Sequence, residues 1–598
     1  MITALTGPGK FPETIRPAGR QPAGTSPLAV TARALLALLL GIAPALPASA
    51  AEAASCEVVE LSAREFDVYD FQTPPRSIPL GDGEQVQVSE IRVRQQRVFQ
   101  EETPWFKRLA NRYHVQTREQ VLIESLPFDA GDTINARHLA EAERILRLKP
   151  YLFEAAVVVS RRCAGASADQ VRVDVIARDV WTLNPRLVLT RTGSQTDFGA
   201  GVSDSNWFGT GIAASIAYIK DEDRSGISVV YQDQNLLGSR WALNSLLIES
   251  NDGHLYDVAL ERPFYALDTP YALGVRLRDN EREQGLFFLS DELFEFDVDA
   301  QYASIYGGQQ LFRSRSAIGR VLAGVAISDQ SFRFPTGFPG GDPDNDRRFV
   351  YPWLAYQQVA DQFVERVNLD RIQRTEDIAL GSQLYAEVGY APDAFGSDGD
   401  HWLGNLSARH TRWLSRSALM SLGAQAEGRY DLDASRSEEV IASAFAAFQF
   451  NHAERFSLLA RASYFYTKNL PVDRQLLLGG DVGLRGYPNR YQTGDRGYLF
   501  TVEERYYSDL YPFEMFRLGA AVFADVGRVS FRDDAPAWVP ADRSADEFGT
   551  LANIGFGLRL ESTRTRRDRI LHVDFAVPLV DGPNVKGLEI TVVAKQSL

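Results

Sequence analysis

The sequence predicts a transmembrane antiparallel β-barrel preceded by one small α/β domain. Three observations predict it. Residues 181–598 alternate apolar and polar side chains with period two, in pieces of roughly ten residues split by Gly, Asp, Asn and Pro turns. No stretch reaches the roughly 20 consecutive apolar residues that a spanning helix needs; the nearest, residues 34–46 (ALLALLLGIAPAL), stands alone. The composition is 45% hydrophobic and 24% charged, with a mean hydropathy of −0.21, a middling average that a lipid face and a water face produce together.

The N-terminus indicates the compartment. Arg16, Arg20 and Arg33 precede the apolar run and Pro47-Ala48-Ser49-Ala50 follows it, so residues 1–50 read as a secretory signal with an upstream extension, Val30 being an alternative start. Residues 51–86 read as a mature linker. Ala53-Ala54-Ser55 before Cys56 lacks the branched residue of a lipoprotein site. Cys56 and Cys163, the only two cysteines of the chain, fall in an oxidising compartment, where a disulfide or two separate thiols are both open. Two thiols exclude a four-thiolate zinc site. A formal charge of −15 argues against a nucleic-acid partner.

Residues 87–180 form the small domain. A strand is expected at 88–93, a helix at 117–126 with Thr117 as cap, and a second helix at 135–148 with Leu139, Ala142, Ile145 and Leu146 on one face. Strands follow at 155–160 and 171–176. This order, with Phe128-Asp129-Ala130-Gly131-Asp132, the Leu139 helix and Tyr151-Leu152-Phe153, resembles a POTRA domain, the polypeptide-transport-associated module. The resemblance implies a sheet edge that receives client segments by strand addition.

In residues 181–598, Leu518, Ala520, Val522, Ala524 and Val526 take one face while Arg517, Gly519, Ala521, Phe523 and Asp525 take the other. Up to about twenty such strands can be marked, and a membrane sheet must close because unpaired backbone in hydrocarbon is costly. Connections near the C-terminus alternate long and short, as outer loops and periplasmic turns do. The tight basic turn 563–568, with Arg564, Arg566 and Arg567, suits either headgroups or solvent.

Two segments read alike, Asp204-Ser205-Asn206-Trp207-Phe208-Gly209-Thr210-Gly211 and Asp233-Gln234-Asn235-Leu236-Leu237-Gly238. The first is similar to the early-strand signature of the BamA/TamA-like surface-antigen barrels, and the second is a diverged copy or another turn. More specific is Leu484-Arg485-Gly486-Tyr487, inside the longest connection. It resembles the lumen-loop motif of that outer-membrane assembly superfamily. The resemblance implies sixteen strands, a loop folded back into the lumen, and acidic partners for Arg485 at Glu503 and Asp525. Arg505, Phe523 and Gly527 complete the matching strands, acid-x-Arg and Phe-x-Asp-x-Gly. An arginine inside a barrel needs such partners, because an unpaired guanidinium away from water is costly. Gly486 permits a bend and close approach. The chain departs from the pattern in having one POTRA-like unit and in ending at Leu598 without a terminal aromatic.

No nucleophile elbow, phosphate loop or His-Glu-x-x-His helix occurs, and the seven histidines form no ligand cluster by spacing. No motif brings Ser and His together for a lipase. Residues 341–346 suit calcium less well than a solvated loop. No cofactor, metal or enzymatic activity is expected. The function implied is insertion or translocation of polypeptides at the outer membrane of a Gram-negative bacterium, with the bilayer, unfolded clients and periplasmic accessory proteins as partners. A passive channel plugged by its own loop is the alternative.

Overall fold

The computed structural model describes residues 56–60, 75–99, 105–165, 168–192, 195–220, 224–339, 345–532, 535–540, 549–565 and 570–595. The signal segment, Val30, residues 341–344, Arg566, Arg567 and Leu598 lie outside them. Among the described residues no helix is long and apolar enough to cross a membrane.

The small domain is a five-stranded sheet ordered Cys56–Val58, Leu152–Cys163, Gln170–Asp179, Val86–Gln96, Thr133–Ile134. Helices Glu119–Glu124 and Ala136–Arg147 lie where the periodicity predicts, and helix Trp105–Tyr113 and the two shortest strands are additions. Leu122, Leu126, Ala142 and Leu146 pack against Val157, Val171, Val173 and Val175, making a core of its own. Asn135 caps the longer helix, accepting from the backbone N–H of Arg137 at 3.0 Å. Thr117 caps nothing. Its N–H and hydroxyl both donate to Asp179 Oδ2, at 2.7 and 3.0 Å, so a tertiary acid outcompetes the local cap.

The rest of the chain is one antiparallel sheet running from Leu183–Thr192 to Glu589–Lys595. Arg347–Ala360 and Gln362–Arg366 both pair with Glu376–Ala391 and so act as one strand. Counted that way, the described residues give twenty strands, not the sixteen that the resemblance implies. Each alternating run finds its own place in the ladder, so the count follows the sequence pattern and not the family. The pattern is weakest at His401–Trp413, whose outward positions include Gly404, Ala408, His410 and Arg412. Among the described residues the ends of the sheet meet at one partner pair, Val592 with Arg191.

Outward residues are apolar and bare: Val522, Ile554, Phe556 and Leu558 are each more than half exposed, while Ala521, Phe523 and Asp525 are buried inside. The interior is not uniformly polar as the alternation suggests. At the end far from the small domain, Leu476, Leu478, Leu484, Tyr487 and Tyr491 of the long connection pack on Phe288, Phe296, Leu499 and Val529 of the wall. The connection displaces water there, and wall residues facing it are apolar for the same reason as in any core.

Candidate functional site: a lumen loop and a docked domain

The connection between strands Phe456–Lys468 and Arg496–Tyr507 enters the sheet as a small ribbon, Leu476–Leu478 paired with Gln492–Gly494. Its tip is tightly turned: the Leu484 N–H donates to Gly479 O at 3.0 Å and the Tyr487 N–H to Leu484 O at 3.1 Å. The left-handed conformation sits at Gly483, φ +105°, and not at Gly486. Gly486 serves close approach instead, since a Cβ there would lie 2.6 Å from Asn553 Cβ.

This geometry delivers Arg485, 3% exposed, to its acids. Its Nε and one terminal nitrogen donate to the two oxygens of Asp525, both at 2.9 Å, and the other nitrogen donates to Glu503 Oε2 at 2.8 Å. Asp525 and Glu503 are fully buried. The guanidinium also covers the Phe523 ring, 3.3 Å from its centroid. Arg505 Nε donates to Glu503 Oε1 at 3.2 Å. Gly527 leaves room for Leu478, whose Cδ2 would be 3.1 Å from a Cβ there. The Tyr487 hydroxyl sits between two strand ends, donating toward Ala552 O at 2.9 Å and Val580 O at 3.2 Å.

Sequence reasoning missed three members. Asp574 lies 3.7 Å from Arg485 and pairs with Arg559, and Asn553 Nδ2 donates to Asp525 at 2.9 Å. Arg485, Arg505 and Arg559 thus face Glu503, Asp525 and Asp574, with Asp370 3.5 Å from Arg505 at the edge of the network. Inward parity on strands Leu551–Ser562 and Ile570–Pro578 was the available signal.

A second insertion was not foreseen. Residues 367–375 turn inward at the small-domain end, burying Leu369, Ile372 and Arg374. Leu369 O accepts from the Tyr507 hydroxyl at 3.0 Å and from Gln449 Nε2 at 2.8 Å. Arg374, 1% exposed, donates to Phe153 O of the small domain at 3.0 Å and lies 3.4 Å from Glu561. The small domain docks on this end. Arg147 donates to both oxygens of Asp377, at 3.0 and 2.6 Å, and reaches Glu365 at 2.6 Å.

The two similar segments form the same turn. Asp204 and Asp233 each accept from the N–H of the Asn two residues on, at 2.9 Å, and Phe208 and Leu237 share a left-handed φ of 51° and 55°. Together they clamp helix Glu119–Glu124. At its N-terminal end, Asn206 donates to the Thr117 hydroxyl at 2.8 Å and the Arg118 N–H donates to Gly209 O at 2.9 Å. At the other, Asn235 donates to Glu124 O at 3.4 Å and Arg240 to Leu126 O at 2.6 Å. A Cβ on Gly209 would lie 2.3 Å from Gln116 O. Gly209→Val is therefore expected to spring this clamp and speed amide exchange over residues 117–124; unchanged exchange would refute the clamp.

The structure brings His401, Asp431 and Glu438 within 4.8 Å of one another, a cluster that spacing along the chain hides because they lie on separate strands. Arg429 and Arg436 already flank Glu438, at 3.6 and 2.8 Å. Ser382 Oγ also meets His410 Nδ1, at 2.9 Å on the exposed face, a Ser and His contact that no motif announced. The pair is a cross-strand hydrogen bond between residues that face each other in the ladder. Arg564 lies against the small domain, donating to Val98 O at 2.7 Å.

A large antiparallel sheet, a loop held inside it by buried ion pairs and a small domain across one mouth define the architecture. No family model and no curated protein matches the chain. Solved structures similar to it include CdiB from Escherichia coli, at 13% identity over 92% of this chain and 93% of that one, TM-score 0.43. CdiB from Acinetobacter baumannii matches at 13% over 90% and 77%, TM-score 0.39. BamA from Haemophilus ducreyi lacking POTRA domains 1–3 matches at 13% over 85% and 84%, TM-score 0.37. These neighbours are members of the BamA/TamA-like outer-membrane barrel superfamily.

Proposed function

We propose that this chain is an outer-membrane barrel of a Gram-negative bacterium that inserts or translocates polypeptides, with residues 87–180 as a periplasmic POTRA domain and residues 1–50 as a removed signal. It works without a cofactor and is not an enzyme. Its partners are the bilayer, unfolded or secreted clients, and periplasmic accessory proteins. The Arg485 network holds the lumen loop in place and so braces the wall next to the seam.

The observation that carries this reading is the seam. The last strand shares seven partner pairs with its predecessor, from Ile570 with Lys595 to Ala576 with Glu589. The first strand shares ten with its successor, Leu183 with Asp204 through Thr192 with Gln195. Between them, among the described residues, stands one pair. Such edges hold unsatisfied N–H and C=O groups, which a client strand can complete. Bridging Arg191→Cys and Val592→Cys with a short bis-maleimide is expected to abolish client assembly into vesicles containing the chain. Full activity of the bridged form would refute the seam mechanism.

The lumen loop and residues 367–375 also suit a passive plugged barrel. Deleting residues 87–180 separates the readings, because a passive pore keeps its conductance and a transporter loses client handling.

A further inference from the structure

The sheet edge on which client addition is expected in the small domain is already covered. Strand Cys56–Val58 lies along Leu152–Cys163, pairing Cys56 with Cys163, Glu57 with Arg162 and Val58 with Arg161. The cover continues where the Val59 N–H donates to Ser160 O at 2.8 Å and the Ile78 N–H to Val159 O at 2.9 Å. Val59 packs on Ala156, Val158 and Ile176. Beyond Val59 the cover has little to hold it by packing: Cys56, Glu57 and Val58 are all exposed. A three-residue edge strand is marginal in water. What fixes it is the disulfide between the facing cysteines.

That disulfide sits in an environment that favours exchange. Arg161 is exposed, with Nε 3.2 Å from Cys163 Sγ and a terminal nitrogen 3.7 Å from Cys56 Sγ. A guanidinium beside a sulphur stabilises its thiolate, which makes that sulphur a better leaving group. Cys56 is the more exposed of the two.

We propose that residues 56–59 are a redox-released cover, and that thiol–disulfide exchange opens the edge Ser160–Cys163 to an extended segment of another polypeptide. This rests on the reading of the chain as a handler of polypeptides. An external dithiol supplies the two electrons. One of its thiolates attacks Cys56 Sγ, forming a mixed disulfide and expelling the Cys163 thiolate beside Arg161. Its second thiolate then attacks the mixed disulfide, releases the Cys56 thiolate and leaves as the oxidised disulfide. The freed segment peels away, and the backbone groups of residues 160–163 that it satisfied become available.

The test uses the full chain in detergent micelles and a fluorescein-labelled peptide copying residues 54–60 with serine at the cysteine position. Anisotropy is read for the oxidised chain, the dithiothreitol-reduced chain and a form lacking residues 56–59, each checked for heat-modifiable migration. Binding is expected to be at least tenfold tighter in the deleted form than in the oxidised one, with the reduced chain between them because its tethered cover still competes. Equal binding by the oxidised and deleted forms, or none by a folded deleted form, overturns the proposal. Arg161→Ala is expected to slow reduction by dithiothreitol about threefold or more; an unchanged rate removes its assigned role. The readout is peptide binding and not transport, so a chain that passes here yet ignores the seam bridge keeps its cover and loses the seam mechanism.

Discussion

Arg485→Ala is expected to lose about 3–5 kcal/mol of barrel stability, the cost of leaving buried charges without their partner. The substitution removes three short charge-assisted hydrogen bonds at 2.8 to 2.9 Å and strands Asp525 and Glu503, both with no exposed surface. Arg505 and Arg559 retain Glu503 and Asp574 but cannot reach around the Phe523 ring to serve Asp525 in the same geometry. Lysine is no rescue, because one ammonium cannot reproduce the planar fork that grips Asp525 bidentately. Asp525→Asn keeps the shape and one acceptor and should cost less, about 1.5–3 kcal/mol. Urea unfolding in micelles with heat-modifiable migration measures both; wild-type midpoints for both variants would show that the loop needs no arginine.

The second large effect is expected at the docked domain. Arg147→Ala removes a 3% exposed guanidinium from Asp377, Glu365, Glu143 and Glu154. Asp377 and Glu154 are nearly buried, whereas Glu365 is mostly in water and contributes little. Leaving Asp377 without its bidentate partner should cost about 3 kcal/mol of docking. Burial pushes the Glu143 carboxyl up to about 8 from 4.5, with Arg147 opposing. In the folded chain this carboxyl keeps a proton that a solvated carboxyl releases, so its contribution to stability weakens as pH rises from about 4.5 to about 8. Protease accessibility of residues 136–147 across that range reads both effects; identical cleavage of variant and wild type would refute the role of Arg147.

How far the sequence carried depends on whether an interaction is written in one segment or several. Strands such as Phe516–Ser530 are legible because their two faces meet different solvents, and period two records that directly. The acid partners of Arg485 were legible through a motif. Asp574 and Asn553 were not, since nothing in their own strands says which inward residue lies opposite an incoming loop. The inward turn at 367–375 is invisible for a related reason: its Leu369 and Arg374 read as an ordinary polar connection until Phe153, Gln449 and Tyr507 surround them. Thr117 misled because a helix cap and a tertiary anchor use the same hydroxyl.

Strand length varies strongly around the sheet. Asp291–Arg313 has 23 residues and Glu589–Lys595 has 7. At about 3.4 Å per residue and a tilt near 40°, the described residues make a wall about 60 Å tall on one side and about 18 Å along the last strand, while the ten-residue first strand rises about 26 Å. An apolar belt in such barrels is about 25 Å tall, a height that the first strand reaches and the described part of the last strand does not. The two strands that face each other across the seam therefore differ in height within the described residues.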